Sequence, residues 1–201
     1  MFNLIEAAGW PIWLLIIASL IAVTLIVERL IYLREKNVIP PKLLDEVVHE
    51  LKQRGVSPQM LDKLSAGSPL GKVFAAGLKN IKSSPQVMKE SIEEAGRGAS
   101  HDMERFLTTL GTIASISPLL GLFGTLVGMI EIFGAQNAGG AAPAELAHGI
   151  SVALYNTAFG LIVAIPSMIA YRHFRAMVDS FTIEMEQKAV KLVEIVHGER
   201  K

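Results

Sequence analysis

The sequence predicts an all-α membrane protein: three transmembrane helices, with long helical extensions in the cytoplasm. Three observations lead there. Hydrophobic residues make up 51% of the chain and charged residues 19%, mean hydropathy is +0.41, and the apolar residues come in long runs. Such runs match the roughly 20 residues needed to cross a hydrocarbon core about 30 Å thick. All 19 Lys and Arg residues fall within 29–105 or 172–201, and none lies within 1–28 or 106–171. The positive-inside rule therefore puts the middle loop and the tail in the cytoplasm, and the N-terminus and the link 134–145 outside. Outside the apolar runs, hydrophobic residues recur at three- and four-residue steps with no convincing strand pattern.

Composition removes several function classes. The chain has 201 residues and no cysteine, so disulfides, thiol catalysis and Cys-ligated metals are excluded. Net charge is zero. No basic stripe with interleaved aromatics supports nucleic-acid binding.

The first transmembrane helix is placed in residues 1–33, with its apolar run at 10–27. A signal peptide is the competing reading. Residues 1–9 hold no Lys or Arg, the run is long and no small-residue cleavage site follows, so the segment reads as a retained span. Trp10, Trp13 and Tyr32 suit its two interfaces, and Glu28 and Arg29 are expected to snorkel toward water at its inner end.

Residues 34–105 form a cytoplasmic helical loop. Pro40-Pro41 is expected to end the extension of the first helix. Leu43, Leu44, Val47, Val48 and Leu51 predict a helix over 42–54, stopped at Gly55. Three Ser-Pro pairs, Ser57-Pro58, Ser68-Pro69 and Ser84-Pro85, predict three further helix starts, with serine as N-cap and proline in the first turn. The last of these helices is expected to present Val87, Ile92, Ala95, Ala99, Met103 and Phe106 on one face and to continue unbroken into the next span.

The second and third spans, 106–133 and 146–171, make an apolar hairpin around the periplasmic link 134–145. The tail, 172–201, repeats apolar residues at Phe174, Met177, Val178, Phe181, Met185, Ala189, Leu192 and Val196, which predicts an amphipathic helix continuing the third span.

Enzyme templates fail one by one. The stretch Gly67-Ser68-Pro69-Leu70-Gly71-Lys72-Val73 is one residue short of a P-loop and lacks the hydroxyl after lysine that would meet Mg²⁺. The five histidines form no pair at metal-binding helical spacing, and no Gly-x-Ser-x-Gly elbow occurs. No catalytic residue, metal site or cofactor is expected.

The hairpin keeps the informative residues. Gly121, Gly124 and Gly128 make a smooth ridge that lets another helix approach closely, and Gly160 adds a small residue on the other arm. Pro118 and Pro166 each free a backbone carbonyl and allow a bend. Thr125 and Thr157 lie at similar distances from the link. Each hydroxyl can simply bond back to the carbonyl four residues earlier, or the two can face a pathway as a polar layer. Asn156 adds a further polar group in need of a partner, and Glu131 is the one carboxylate in either arm. Glu131 sits toward the outer end, where it can be either an interfacial carboxylate or part of an ion entry.

These residues resemble the MotA/TolQ/ExbB proton-channel family, most closely its ExbB and TolQ-like branch. The resemblance rests on Ser68-Pro69-Leu70 and Ala75-Ala76-Gly77-Leu78 in the loop, and on the run from Pro118 to Gly128 in the second span. In the third span it rests on Ala153-Leu154-Tyr155-Asn156-Thr157-Ala158-Phe159-Gly160-Leu161 and Ala164-Ile165-Pro166, with Glu28-Arg29 after the first span. It covers nearly the whole chain in matching order. The resemblance implies a bacterial inner-membrane homo-pentamer, a ring around the transmembrane helices of an ExbD/TolR-like partner that carries a titrating aspartate. It also implies a TonB/TolA-like protein beyond that partner. Thr125 and Thr157 map onto the family's pathway threonines, with proton flow driving outer-membrane transport or envelope maintenance. One departure stands out: the family's third-span glutamate is Val152 here, and Glu131 is a candidate substitute. The rival readings are a sodium-driven motor stator and a structural membrane scaffold.

Overall fold

The computed structural model describes residues 9–135 and 143–198, with the side chains of 135, 143 and 145 left aside. Most of the link at 134–145 therefore lies outside the described residues. The described residues form helices and no strand: α1 (Pro11–Tyr32), α2 (Glu35–Val38), α3 (Leu43–Arg54), α4 (Pro58–Ala66), α5 (Pro69–Lys79), α6 (Pro85–Glu104), α7 (Leu107–Ala135) and α8 (Pro143–Val196). Three helical stretches, in Pro11–Tyr32, Pro85–Gly134 and Leu146–Val196, are long and apolar enough to cross a membrane. Two compact units result: the residues up to Glu28 with Phe106–His173, and Arg29–Arg105 with Phe174–Lys201.

In the second of these units the Ser-Pro signals act as the sequence predicts. Ser57 Oγ accepts from the Met60 amide at 3.2 Å, Ser68 Oγ from Gly71 at 3.1 Å, and Ser84 Oγ from Val87 at 3.4 Å. Each bond satisfies an amide that has no carbonyl partner in the first turn. Gly55 ends α3 with φ 70, a left-handed conformation open to glycine. Helix α5 is buried along most of its length and packs against α4, α6 and α2. Phe74, Leu70, Leu78, Met88, Phe174, Val178 and Leu192 are among the fully enclosed side chains. The tail periodicity is thus real: α8 runs without interruption to Val196 and buries Phe174, Val178, Phe181, Met185, Ala189 and Leu192.

The structure corrects four expectations here. Helix α1 stops at Tyr32, before Pro40, because Arg34 is extended (φ −72, ψ 135) and the one-turn α2 follows. Asn37 Nδ2 donates to the Ile31 carbonyl at 2.9 Å, covering an acceptor that the helix end leaves open. Helix α6 does not run on into α7: Arg105 is extended and Phe106 takes a left-handed φ of 65. The buried stripe of α6 is Met88, Ile92, Ala99 and Met103, while Val87 and Phe106 are exposed, so the true face is shifted by one residue at its start.

Arg29 is the fourth correction. It does not snorkel to water but is 3% exposed, with Nη1 donating to the Met103 carbonyl at 3.0 Å and the guanidinium 4.8 Å from the Tyr32 ring centroid. The two breaks in helix are connected physically. Ending α6 at Glu104 leaves carbonyls of its last turn without helical donors, and the negative end of the helix dipole favours a cation there.

Candidate functional site: a small-residue seam with a hydroxyl layer

In the unit that holds the hairpin, α7 and α8 pack antiparallel along a seam of small residues. A Cβ built on Gly121 would lie 2.6 Å from the Asn156 carbonyl oxygen and 3.0 Å from Thr157 Cα. One on Gly160 would lie 2.6 Å from the Ser117 carbonyl oxygen and 3.1 Å from Gly121 Cα. Both approaches are backbone to side-chain-free backbone, closer than any larger residue allows. Gly124 meets the Asn156 side chain, Gly128 meets Ala153, and Gly149 meets Ile132 further along. The ridge of Gly121, Gly124 and Gly128 therefore faces α8, as the spacing predicts.

Pro118 and Pro166 lie inside uninterrupted helices. Beside each is a buried serine that bonds back within its own helix: Ser117 Oγ to the Ile113 carbonyl and Ser167 Oγ to the Val163 carbonyl, both at 2.7 Å. These serines were not singled out from the sequence, although a hydroxyl next to a helix-interior proline is a recognisable pattern.

Close approach sets the polar layer. Thr125 Oγ1 and Thr157 Oγ1 are 2.7 Å apart, one donating to the other. Thr125 Oγ1 also lies 3.0 Å from the Ala153 carbonyl on α8 and 3.2 Å from the Gly121 carbonyl of its own helix. The local bond to the carbonyl four residues back is thus present but is the longest of the three. Asn156 is buried, with its amide carbon against Gly124. Thr125 and Thr157 form the cluster, and Asn156, adjacent to Thr157 in the chain, packs against Gly124.

Glu131 is placed apart from that cluster, on an exposed position one to two turns along α7. It lines a cavity of about 280 Å³ together with His148, Val152 and Asn156 of α8 and Gly9 and Pro11 at the start of α1. His148, Val152 and Asn156 stand at i, i+4 and i+8 on α8, one helical face. That spacing was available in the sequence and would have put His148 beside Val152. At the same end, Trp10 meets Phe123 edge-on with centroids 5.8 Å apart, fastening the start of α1 to α7. Along the rest of these helices large apolar side chains face outward, Leu20, Leu119, Ile130, Ile162 and Ile169 among them. A surface of that kind is stable against lipid or against other apolar helices, not against water.

The sequence profile of the MotA/TolQ/ExbB proton channel family matches residues 65–187 of the chain. An ExbB-like biopolymer transport protein of Synechocystis sp. is 30% identical over 173 residues, covering 84% of this chain and 82% of its own length. The Tol-Pal system protein TolQ of Pseudomonas aeruginosa is 30% identical over 193 residues, covering 88% of this chain and 83% of its own. The biopolymer transport protein exbB1 of Vibrio cholerae is 30% identical over 170 residues, covering 81% and 74% respectively.

Proposed function

Since the chain belongs to the MotA/TolQ/ExbB proton channel family, we propose that it is an inner-membrane ring subunit of a proton-driven energy-transducing complex. In this reading its N-terminus is periplasmic and its C-terminus cytoplasmic, and α1, α7 and the first half of α8 are the three spans. Several copies, five by family resemblance, surround the transmembrane helices of an ExbD/TolR-like partner. Movement of that partner powers a TonB/TolA-like protein in outer-membrane transport or envelope maintenance.

The observation that carries the proposal is the 2.7 Å contact between Thr125 and Thr157 across a seam closed by glycines. It gives an apolar hairpin one hydroxyl layer at a fixed depth, where a proton or a hydrated ion can exchange hydrogen bonds. The charge asymmetry of the chain supports the orientation. The work available is real: one charge crossing 100 mV is worth about 2.3 kcal/mol.

Thr125→Val and Thr157→Val test the role. Both replacements keep the branched shape and remove the hydroxyl. Proton flux into liposomes carrying the full chain with its co-purified partner is expected to fall in both, more in Thr125→Val, which loses three contacts. A scaffold predicts unchanged flux with normal assembly, and that result would sink the proposal. Replacing the driving ion by sodium at fixed pH distinguishes a sodium-driven stator.

A further inference from the structure

The cavity that Glu131 lines holds two titratable side chains on facing helices. Glu131 comes from α7 and His148 from α8. The start of α1 contributes Gly9 and Pro11, neither of which titrates, so among the described residues these two are the ionisable groups on the cavity. Asn156, next to Thr157 in the chain and packed against Gly124, lines it too. A volume of about 280 Å³ has room for several waters, each taking on the order of 30 Å³ of liquid. Ionisable residues within spans are expensive and mark pathways when they share a wet cavity with a partner.

We propose that this cavity is a proton-collecting site carried by the chain itself, with His148 receiving protons and Glu131 holding them. A hydronium ion at the mouth gives its proton to a neutral ring nitrogen of His148 and leaves as water. The imidazolium passes that proton to a carboxylate oxygen of Glu131, directly or through one water, and becomes neutral again. The carboxylic acid releases it to water on the Asn156 side, restoring the carboxylate. The inference rests on the proton-pathway reading, and it adds a titrating group that the threonine layer lacks. In this scheme a carboxylate is needed in the cavity, not on a particular helix. Val152 lines the same cavity from α8, so a glutamate there can replace one at Glu131.

Proton flux into liposomes containing the full chain and its co-purified partner, driven by a potassium diffusion potential, reads the prediction. Glu131→Gln should lower flux about 100-fold or more, the low end of what positioned acid–base groups contribute. The double variant Glu131→Gln with Val152→Glu should recover most of it. His148→Asn should lower flux as well, and wild-type flux in that variant removes His148 from the site. Wild-type flux in Glu131→Gln, or no recovery in a correctly assembled double variant, overturns the site. If Thr125→Val abolishes flux while Glu131→Gln does not, the pathway stands and the collecting site falls. If neither threonine variant changes flux, the underlying reading falls first.

Discussion

Gly121→Ala is the smallest change that should pull the hydroxyl layer apart. The added methyl would meet the Asn156 carbonyl oxygen at 2.6 Å, where ordinary contact begins at 3.4 Å. The obstacle is backbone, so no side chain can rotate out of the way. Relief by separating the helices requires a shift of about 0.8 Å, and a shift of that size carries the Thr125–Thr157 contact from 2.7 Å to about 3.5 Å, beyond hydrogen-bond range. Overpacking of this kind costs about 1–3 kcal/mol. Thermal unfolding of the detergent-solubilised complex should therefore fall by several degrees, and proton flux in liposomes should fall with it. Gly98→Ala is the control: nothing lies within 4 Å of its added Cβ, so it should be neutral or gain about 0.5–1 kcal/mol of helix stability. Gly121→Ala with unchanged melting and unchanged flux would refute the idea that glycine packing fixes the threonines.

Two further outcomes follow from the other unit. Ser68→Ala should cost about 1 kcal/mol through loss of its cap, and Ser84→Ala less, because that bond is longer at 3.4 Å; melting of the purified variants gives the order. Arg29→Met should cost about 1.5–3 kcal/mol by stranding the Met103 carbonyl, and trypsin should then cut faster at Arg105. Arg29→Lys should recover part of the stability, since it keeps the charge but not the planar fork; equal melting of Arg29→Met and wild type would contradict the anchoring role.

Local signals in this sequence were legible because they act over a few residues. Each Ser-Pro pair starts a helix, Gly55 stops one, and the three- and four-residue steps of the tail find the buried face of α8. The ridge of Gly121, Gly124 and Gly128 was legible too, since a face without side chains at helical spacing has few uses other than close packing. What stayed hidden depends on contacts between distant residues. Nothing near Arg29 in sequence indicates that its guanidinium meets Met103, 74 residues away. The break at Phe106 is hidden for a related reason: a phenylalanine with φ 65 contradicts its own preference, and an apolar run gives no hint of it. His148 is hidden in the sequence because what it shares with Glu131 is a cavity, which spacing between histidines does not reveal.

The hydroxyl layer also limits what it can do. Each threonine has one proton to donate and a neutral oxygen that accepts. Around Thr125 Oγ1 lie two carbonyls, at 3.0 and 3.2 Å, and the Thr157 hydroxyl at 2.7 Å. Thr125 can therefore donate to one carbonyl while accepting from Thr157, or donate to Thr157 and leave the carbonyls to other donors. Both arrangements are neutral. The pair can orient a passing proton or water and switch between two hydrogen-bond directions, but it cannot store a charge between steps. A device that converts proton entry into movement needs a group that stays protonated long enough for the movement to occur. Among the described residues, Glu131 is the carboxylate proposed for that role, and it shares its cavity with Asn156. In the proposed scheme, storage and orientation are divided between two positions on α7. The division predicts separable defects: Val152→Glu should restore flux to Glu131→Gln but not to Thr125→Val. Equal recovery of both variants by Val152→Glu would show that the two act as one site.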